Sequence, residues 1–529
     1  MDSQINQSPA FGKLRNFLMP IHNHEFKKFL PLTLMMFCVL FNYTLLRNAK
    51  DTLVITASGP ETIPFLKGVV ILPVSILFLT LYSKLSNLFE RSTIFYLGIG
   101  FFIGFFAIFA LFLYPYREFL EPAPEYIAHL KKTYPYIQHI FPVIGNWTFS
   151  LFYLFAELWG AIALGLLFWQ FSNEIVKTSE AKRFYTMFGF LSHFALIAAG
   201  LLGNYLCAHE RSISGHESQD CSQYLNLMIL SVTLSGFLIM YLQYWLRTRV
   251  VGRKRSTHGL ETPSGEAKTK LSLWESLKHI LRSKYLGLIA ILVLGYGMSN
   301  NILGLLWKRE LQLMYPTPLE YGEFMGIFSI ITGVATILLT FFSKGIISRF
   351  GWFAGAIITP LVLLVMGALF FNFILFESWY STIMASVSLT PLMLAIWLGT
   401  SQQVLSKGSK YSLFDPTKEM AYIPLDLELR SKGKAAVDVV AHSFSKASGG
   451  YVIGGLLMVT AAADILTMAP YLVGVVFITV SVWLYAVVTL SKLYKSRVKA
   501  PAPKAAKAKP PASDDEKIAA GASPEAVAS

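Results

Sequence analysis

Apolar runs of about twenty residues recur along this chain, broken by short polar or charged stretches. The pattern predicts about twelve membrane-spanning helices. Their limits are 29–57, 62–82, 93–114, 147–171, 184–206 and 224–246, then 285–306, 322–343, 352–375, 380–402, 437–461 and 468–491. Twenty apolar residues in a helix cross roughly 30 Å of hydrocarbon. The runs are continuous rather than alternating with a period of two, which argues for helices and against a barrel. The expected class is an all-α membrane protein of two pseudo-symmetric six-helix halves. Residues 1–28 form a polar N-terminal segment and 29–246 the first half. A linker spans 247–284, the second half 285–491, and a tail 492–529.

Composition agrees with the pattern. Of the 529 residues, 54% are apolar and 14% charged, with a mean hydropathy of +0.52 in place of the balance of soluble domains. The first 28 residues lack the apolar core of a cleavable signal. The linker carries ten Lys/Arg and three Glu. The loops holding Lys84 and Arg91, Lys177, Lys182 and Arg183, and Lys344 and Arg349 are basic as well. The positive-inside rule then puts both termini, the linker and the 403–436 loop in the cytoplasm. The linker reads first as a topogenic connector, with contact to anionic membrane lipid as the alternative. The Ala/Pro/Lys-rich tail from Lys499 reads as disordered.

"LTLYSK" at Leu79–Lys84 closes the second span, and "LTFFSK" at Leu339–Lys344 closes the eighth. The matching positions suggest a repeat of six spans, as in carriers that bind substrate between halves. Among the cysteines, Cys38 reads as core. Cys207 and Cys221 flank an outer loop, where a disulfide and two free thiols are both open. No metal-ligand spacing and no cofactor motif is present, and no nucleic-acid polymer is expected as a partner.

Ionisable groups inside spans map function, because each costs roughly 2.5–3.5 kcal/mol near a helix centre unless it meets a partner or a water-filled cavity. "FNYTLLRNAKDTLVITA" places Arg47, Lys50 and Asp51 within an apolar run. Arg47 and Asp51 are four apart and can neutralise each other, which leaves one positive charge to spare. Glu157 in "LFYLFAELWGAIALGLLFW" has long apolar flanks, so Lys50 is its first candidate partner. In "VDVVAHSFSKASGGYVIGGLL", Asp438, His442 and Lys446 recur every four residues. Ser445, Ser448, Gly449 and Gly450 beside them permit close approach of a helix or a ligand. "LGYGMSNN" offers Asn300 and Asn301 as polar readers. The following Lys308, Arg309, Glu310, Glu320 and Glu323 read as an outer loop or an outer gate opposite Lys50.

Lys50 and Lys446, one per half, imply a multiply charged anion, since lysine binds phosphate as a point charge. Tyr43, Tyr153, Trp159 and Phe188 are candidates to stack a flat base. No G-x-x-x-x-G-K-[ST] loop is present, so the chain is not a self-contained ATP-driven pump. The expected function is a secondary carrier rather than an enzyme. A proton-coupled symporter of a peptide or organic anion, with Glu157, Asp438 and His442 as relay, is the alternative.

"LLRNAKDTLVIT", "FAELWG", "WKRELQLMYPTPLEYGEFMG" and "KYSLFDPTKEMAYIPLDLELRSKGKAAVDVV" together resemble the ATP/ADP translocases of plastids and obligate intracellular bacteria, the chlamydial members above all. The likeness extends over about 25–495. It implies a major-facilitator-like fold and exchange of external ATP for internal ADP, with inorganic phosphate accompanying ADP. It also implies a bacterial inner membrane, and a monomer is expected as the working unit. The family's essential charges fall on Lys50, Glu157, Glu320 and a lysine that depth assigns to Lys446, with Lys432 and Lys434 as alternatives. Paralogues that import other nucleotides by proton symport share the scaffold.

Overall fold

The structure is a computed structural model that describes residues 21–215, 220–251, 283–384, 390–425, 433–434, 437 and 441–499. Helices account for nearly all of them, and no strand occurs among the described residues. The long helices are α1 (Phe26–Ser58), α2 (Thr62–Leu88), α3 (Arg91–Leu113), α4 (Trp147–Ile175), α5 (Thr178–Ser214) and α6 (Ser222–Val250). The second group is α7 (Lys284–Met314), α8 (Pro318–Ser343), α9 (Gly345–Leu375), α10 (Pro391–Ser409), α11 (His442–Thr460) and α12 (Ala469–Lys499). We call the end at which α1 begins proximal and the end at which it stops distal.

Ten of these helices are long and apolar enough to cross a membrane; α10 and α11, the expected tenth and eleventh spans, fall below that measure. For α10 the reason is polarity in its proximal part, which holds Gln402, Gln403, Ser406 and Lys407, whereas in α11 the apolar stretch among the described residues is the shorter Ala447–Thr460. α10 also begins eleven residues later than expected, because Glu377–Ile383 forms a separate short helix before it. Several helices overrun their apolar cores. α7 continues to Met314, which turns Lys308, Arg309 and Glu310 from expected loop residues into helix residues. Hydropathy ends at the first charge, but the backbone hydrogen bonds do not.

Pro318–Leu375 runs as one helical stretch through α8 and α9, and its backbone breaks at Gly351 within α9, where φ is +79°. Only glycine accepts that conformation without strain, so it sets the turn back across the bundle. The two groups meet where α5 crosses α8 and where α2 crosses α11. A Cβ on Gly200 would stand 2.6 Å from the Gly326 carbonyl oxygen, and one on Gly326 would stand 2.7 Å from the Asn204 nitrogen. The two backbones therefore touch, as small residues allow in lipid, where packing replaces the hydrophobic drive. Gly326→Leu is expected to destabilise the fold by about 1–3 kcal/mol through overpacking. A lower melting temperature of the purified protein in detergent would register it; an unchanged one would refute the crossing.

Candidate functional site

The charged residues of α1 lie two-thirds of the way along it, at the seam between the two helix groups. Lys50 is 3% exposed. Its Nζ stands 3.1 Å from Glu157 Oε2 on α4, 3.3 Å from Asp51 Oδ1 and 3.6 Å from the centre of the Tyr153 ring. The ring quadrupole adds to the two carboxylates in holding the ammonium. Asp51 is shared, since its Oδ2 accepts from Lys308 Nζ on α7 at 2.8 Å. The Glu157 side chain is 29% exposed whereas that of Lys50 is 4% exposed. Glu157 is thus the open member of the pair and the one an arriving anion can displace.

Around this centre the charges do not balance. Lys67 on α2 lies within electrostatic reach of Glu157, Lys50, Lys308 and Asp51. Lys407 on α10 sits 4.4 Å over the Phe328 ring and faces Arg47, Lys308 and Asp51. Arg47 lies 5.6 Å from the Tyr43 ring centre. Among the described residues no carboxylate pairs with Arg47, Lys67 or Lys407. Five cations, Arg47, Lys50, Lys67, Lys308 and Lys407, therefore face two carboxylates, Asp51 and Glu157. Lys50 is buried and the other four are partly buried, and cations in such excess repel one another unless an anion joins them.

The other expected residues fall elsewhere or do different work. Tyr43 packs its ring on Gly160, where a Cβ would stand 2.4 Å from it. Asn300 Oδ1 accepts from the Ser406 hydroxyl at 2.9 Å, and Asn301 Nδ2 donates to the Ser445 carbonyl at 3.3 Å. Both asparagines thus join α7 to its neighbours α10 and α11. Gly295 and Gly297 do not loosen α7, which is continuous; they admit Trp483 and Ser445. The small residues of α11 likewise serve helix approach, with Gly449 against Asn301 and Gly450 against Pro64. Glu320 sits in the first turn of α8, where its carboxylate accepts from the hydroxyl of the N-cap residue Thr317 at 3.0 Å. Lys434 makes an exposed pair with Glu419 at 2.7 Å near the proximal end, away from the cluster. Cys207 and Cys221 are free thiols, not the disulfide entertained above. Cys207 packs on Gly322, and the Cys221 sulfur lies 3.2 Å from the Tyr114 hydroxyl. Burial pushes the Cys221 thiol up to about 12. Asp438 and Lys432 lie outside the described residues, as do the side chains of His442 and Lys446.

Among the described residues three ion pairs join the first helix group to the second, and all lie toward the distal end: Asp51 with Lys308, Glu61 with Arg309 at 3.8 Å, and Arg211 with Glu323 at 2.7 Å. Arg309 also holds Asp464 at 2.7 Å, and Gln312 Nε2 donates to the Ile55 carbonyl at 2.6 Å. Burial raises the pKa of Glu61, against the lowering by the backbone donors and Arg309. Proximal pairs among the described residues stay within one group: Lys28 with Glu180, Arg183 with Glu25, Arg247 with Glu174, and Lys410 with Asp415.

The sequence profile of the TLC ATP/ADP transporter family matches residues 4–494. "ADP,ATP carrier protein 1" of Chlamydia muridarum is 42% identical over 497 residues, 93% of either chain. The protein of the same name from Rickettsia conorii is 40% identical over 487 residues, 92% of this chain and 96% of its own. Among solved structures, a bacterial homologue of the iron transporter ferroportin in an inward-facing state superposes with a TM-score of 0.53. It has 14% identity and covers 90% of this chain and 100% of its own. A bacterial metal transporter gives 0.51 at 13% identity, covering 88% and 98%. At such identity the likeness speaks to fold alone, and the fold is major-facilitator-like.

Proposed function

The chain belongs to the TLC ATP/ADP transporter family, and from that premise we propose that it exchanges ATP for ADP across a membrane by alternating access of two helix groups. The observation that carries the reading is the surplus of buried and partly buried cations at the seam. A nucleotide's phosphate chain supplies the missing negative charge, and lysine and arginine replace its water. Lys50, with Arg47, Lys67 and Lys407, holds that chain. Glu157 gives up Lys50 when phosphate arrives and takes it back when phosphate leaves. The three cross-group pairs support a distal-closed state, in which substrate enters and leaves from the proximal side.

Obligatory exchange follows from the same electrostatics. Reorientation of an empty site carries uncompensated cations through the closed intermediate, and a bound polyphosphate removes that penalty. Inorganic phosphate accompanies ADP on this reading, because ADP alone leaves one cation position unfilled. The proximal side is the cytoplasm, by the basic linker and loops, and the membrane is a bacterial inner membrane. The protein works as a monomer, since the cluster is complete within one chain.

Counterflow in proteoliposomes tests this. Labelled ATP is expected to enter only vesicles loaded with ADP or ATP, and to ignore a protonophore. Equal uptake into empty vesicles would refute exchange, and collapse with the protonophore would favour proton symport.

A further inference from the structure

A second basic site lies at the proximal end of the first helix group, away from the cluster at the seam. A shallow cleft between α3, α4 and α6 is lined by Arg91, Ser92, Gln170, Glu174, Gln243 and Arg247. We propose that it binds the phosphodiester of an anionic glycerophospholipid with a hydroxylated, uncharged headgroup.

The charges are the first argument. Arg247 donates to Glu174 Oε1 at 2.9 Å, which neutralises one guanidinium. Arg91 opens α3 and has no ion-pair partner among the described residues, so the cleft keeps one net positive charge. That matches a phosphodiester carrying one negative charge. A zwitterionic headgroup would bring an ammonium that this balance does not require.

The polar inventory is the second. Gln243 is fully buried; its Nε2 donates to the Ser92 hydroxyl at 2.9 Å, and its Oε1 has no partner. A buried acceptor without a donor is costly, and a headgroup hydroxyl supplies one. The Tyr82 hydroxyl occupies Gln170 Oε1, so Gln170 offers its NH2 to a phosphate oxygen.

Position is the third. Phe95, Leu167 and Phe171 floor the cleft. Leu88, Tyr241 and Tyr244, on helices long and apolar enough to cross a membrane, and Phe89, just after α2, are exposed apolar residues. The guanidinium groups therefore sit at headgroup depth beside acyl chains, where basic pockets between helices take lipid phosphates. A phosphate free in water lacks the acyl contact.

The test is thermal unfolding of the full chain in neutral detergent with phosphatidylglycerol, phosphatidylethanolamine or glycerol 3-phosphate added. Phosphatidylglycerol is expected to raise the melting temperature by several degrees, phosphatidylethanolamine by less, and glycerol 3-phosphate not at all. Arg91→Gln should weaken the phosphatidylglycerol effect about tenfold in concentration and leave the Arg247–Glu174 pair intact. Arg91→Gln/Arg247→Gln should abolish it; should that variant not fold, the single one decides. Equal shifts in wild type and Arg91→Gln would overturn the proposal. An equal effect of glycerol 3-phosphate would make the site one for free phosphate and overturn its lipid assignment.

Discussion

Replacing Lys50 with glutamine is expected to lower ATP and ADP exchange together by roughly a hundredfold or more in reconstituted vesicles. The ammonium is buried and makes charge-assisted contacts to two carboxylates and a ring. Removing one partner of such a group costs about 3–5 kcal/mol, and about 1.4 kcal/mol is a factor of ten. Part of that loss is structural, because Glu157 and Asp51 lose a counter-charge. Two variants separate the parts. Lys50→Gln/Glu157→Gln removes both charges of the pair and should recover much of the melting temperature lost by Lys50→Gln alone. It should not recover exchange, because the cation for phosphate is still missing. Glu157→Gln alone keeps the cation and removes its displaceable partner. That variant should bind ADP more tightly and turn over more slowly, seen as a lower KM with a lower maximal rate. Wild-type exchange by Lys50→Gln/Glu157→Gln would show that Lys50 never touches substrate.

The sequence made the centre of the cluster legible and hid its rim, for a physical reason. A charge flanked on both sides by long apolar runs has no exit to water, so Glu157 and Lys50 stood out, and depth alone nominated them as partners. Lys67 escaped because it lies only five residues after the start of α2, where a lysine normally snorkels to the surface. It is partly buried near Glu157 and Lys50, and that neighbourhood is a tertiary fact. Lys407 was hidden by Gln402 and Gln403, which end the hydropathic run before the helix ends. Lys308 was visible but read as loop or gate; α7 carries it a turn past Gly304 to reach Asp51. The asparagines of α7 pose a different question. Polar residues in a span signal either ligand or helix contact, and only the neighbours Ser406 and Ser445 decide between them. The stripe of small residues on α11 poses the same ambiguity, and Gly297 resolves it by meeting Ser445 directly.

Reversing one charge of the distal latch, Glu323→Lys, is expected to open the distal side about thirtyfold relative to the closed state. The pair with Arg211 links α5 to α8 at 2.7 Å, with both side chains about a quarter exposed. Solvent screening keeps its attraction modest. Reversal replaces attraction by repulsion, a swing of about 2 kcal/mol, and the population ratio moves by that free energy alone. The glycine crossing of Gly200 on Gly326 lies on the same two helices, further from the distal end, and its close backbone contact would serve as a pivot. The latch can therefore part without separating the groups. Cysteine introduced at Ser58, the last residue of α1, should react faster with an impermeant maleimide added from the distal side in Glu323→Lys than in the otherwise wild-type background. Arg211→Glu/Glu323→Lys restores attraction with the signs exchanged, so it should restore slow labelling. Fast labelling in the double variant would mean that the single substitution merely loosens the fold. Unchanged labelling in Glu323→Lys would mean that Asp51 with Lys308 and Glu61 with Arg309 hold the distal side closed without it.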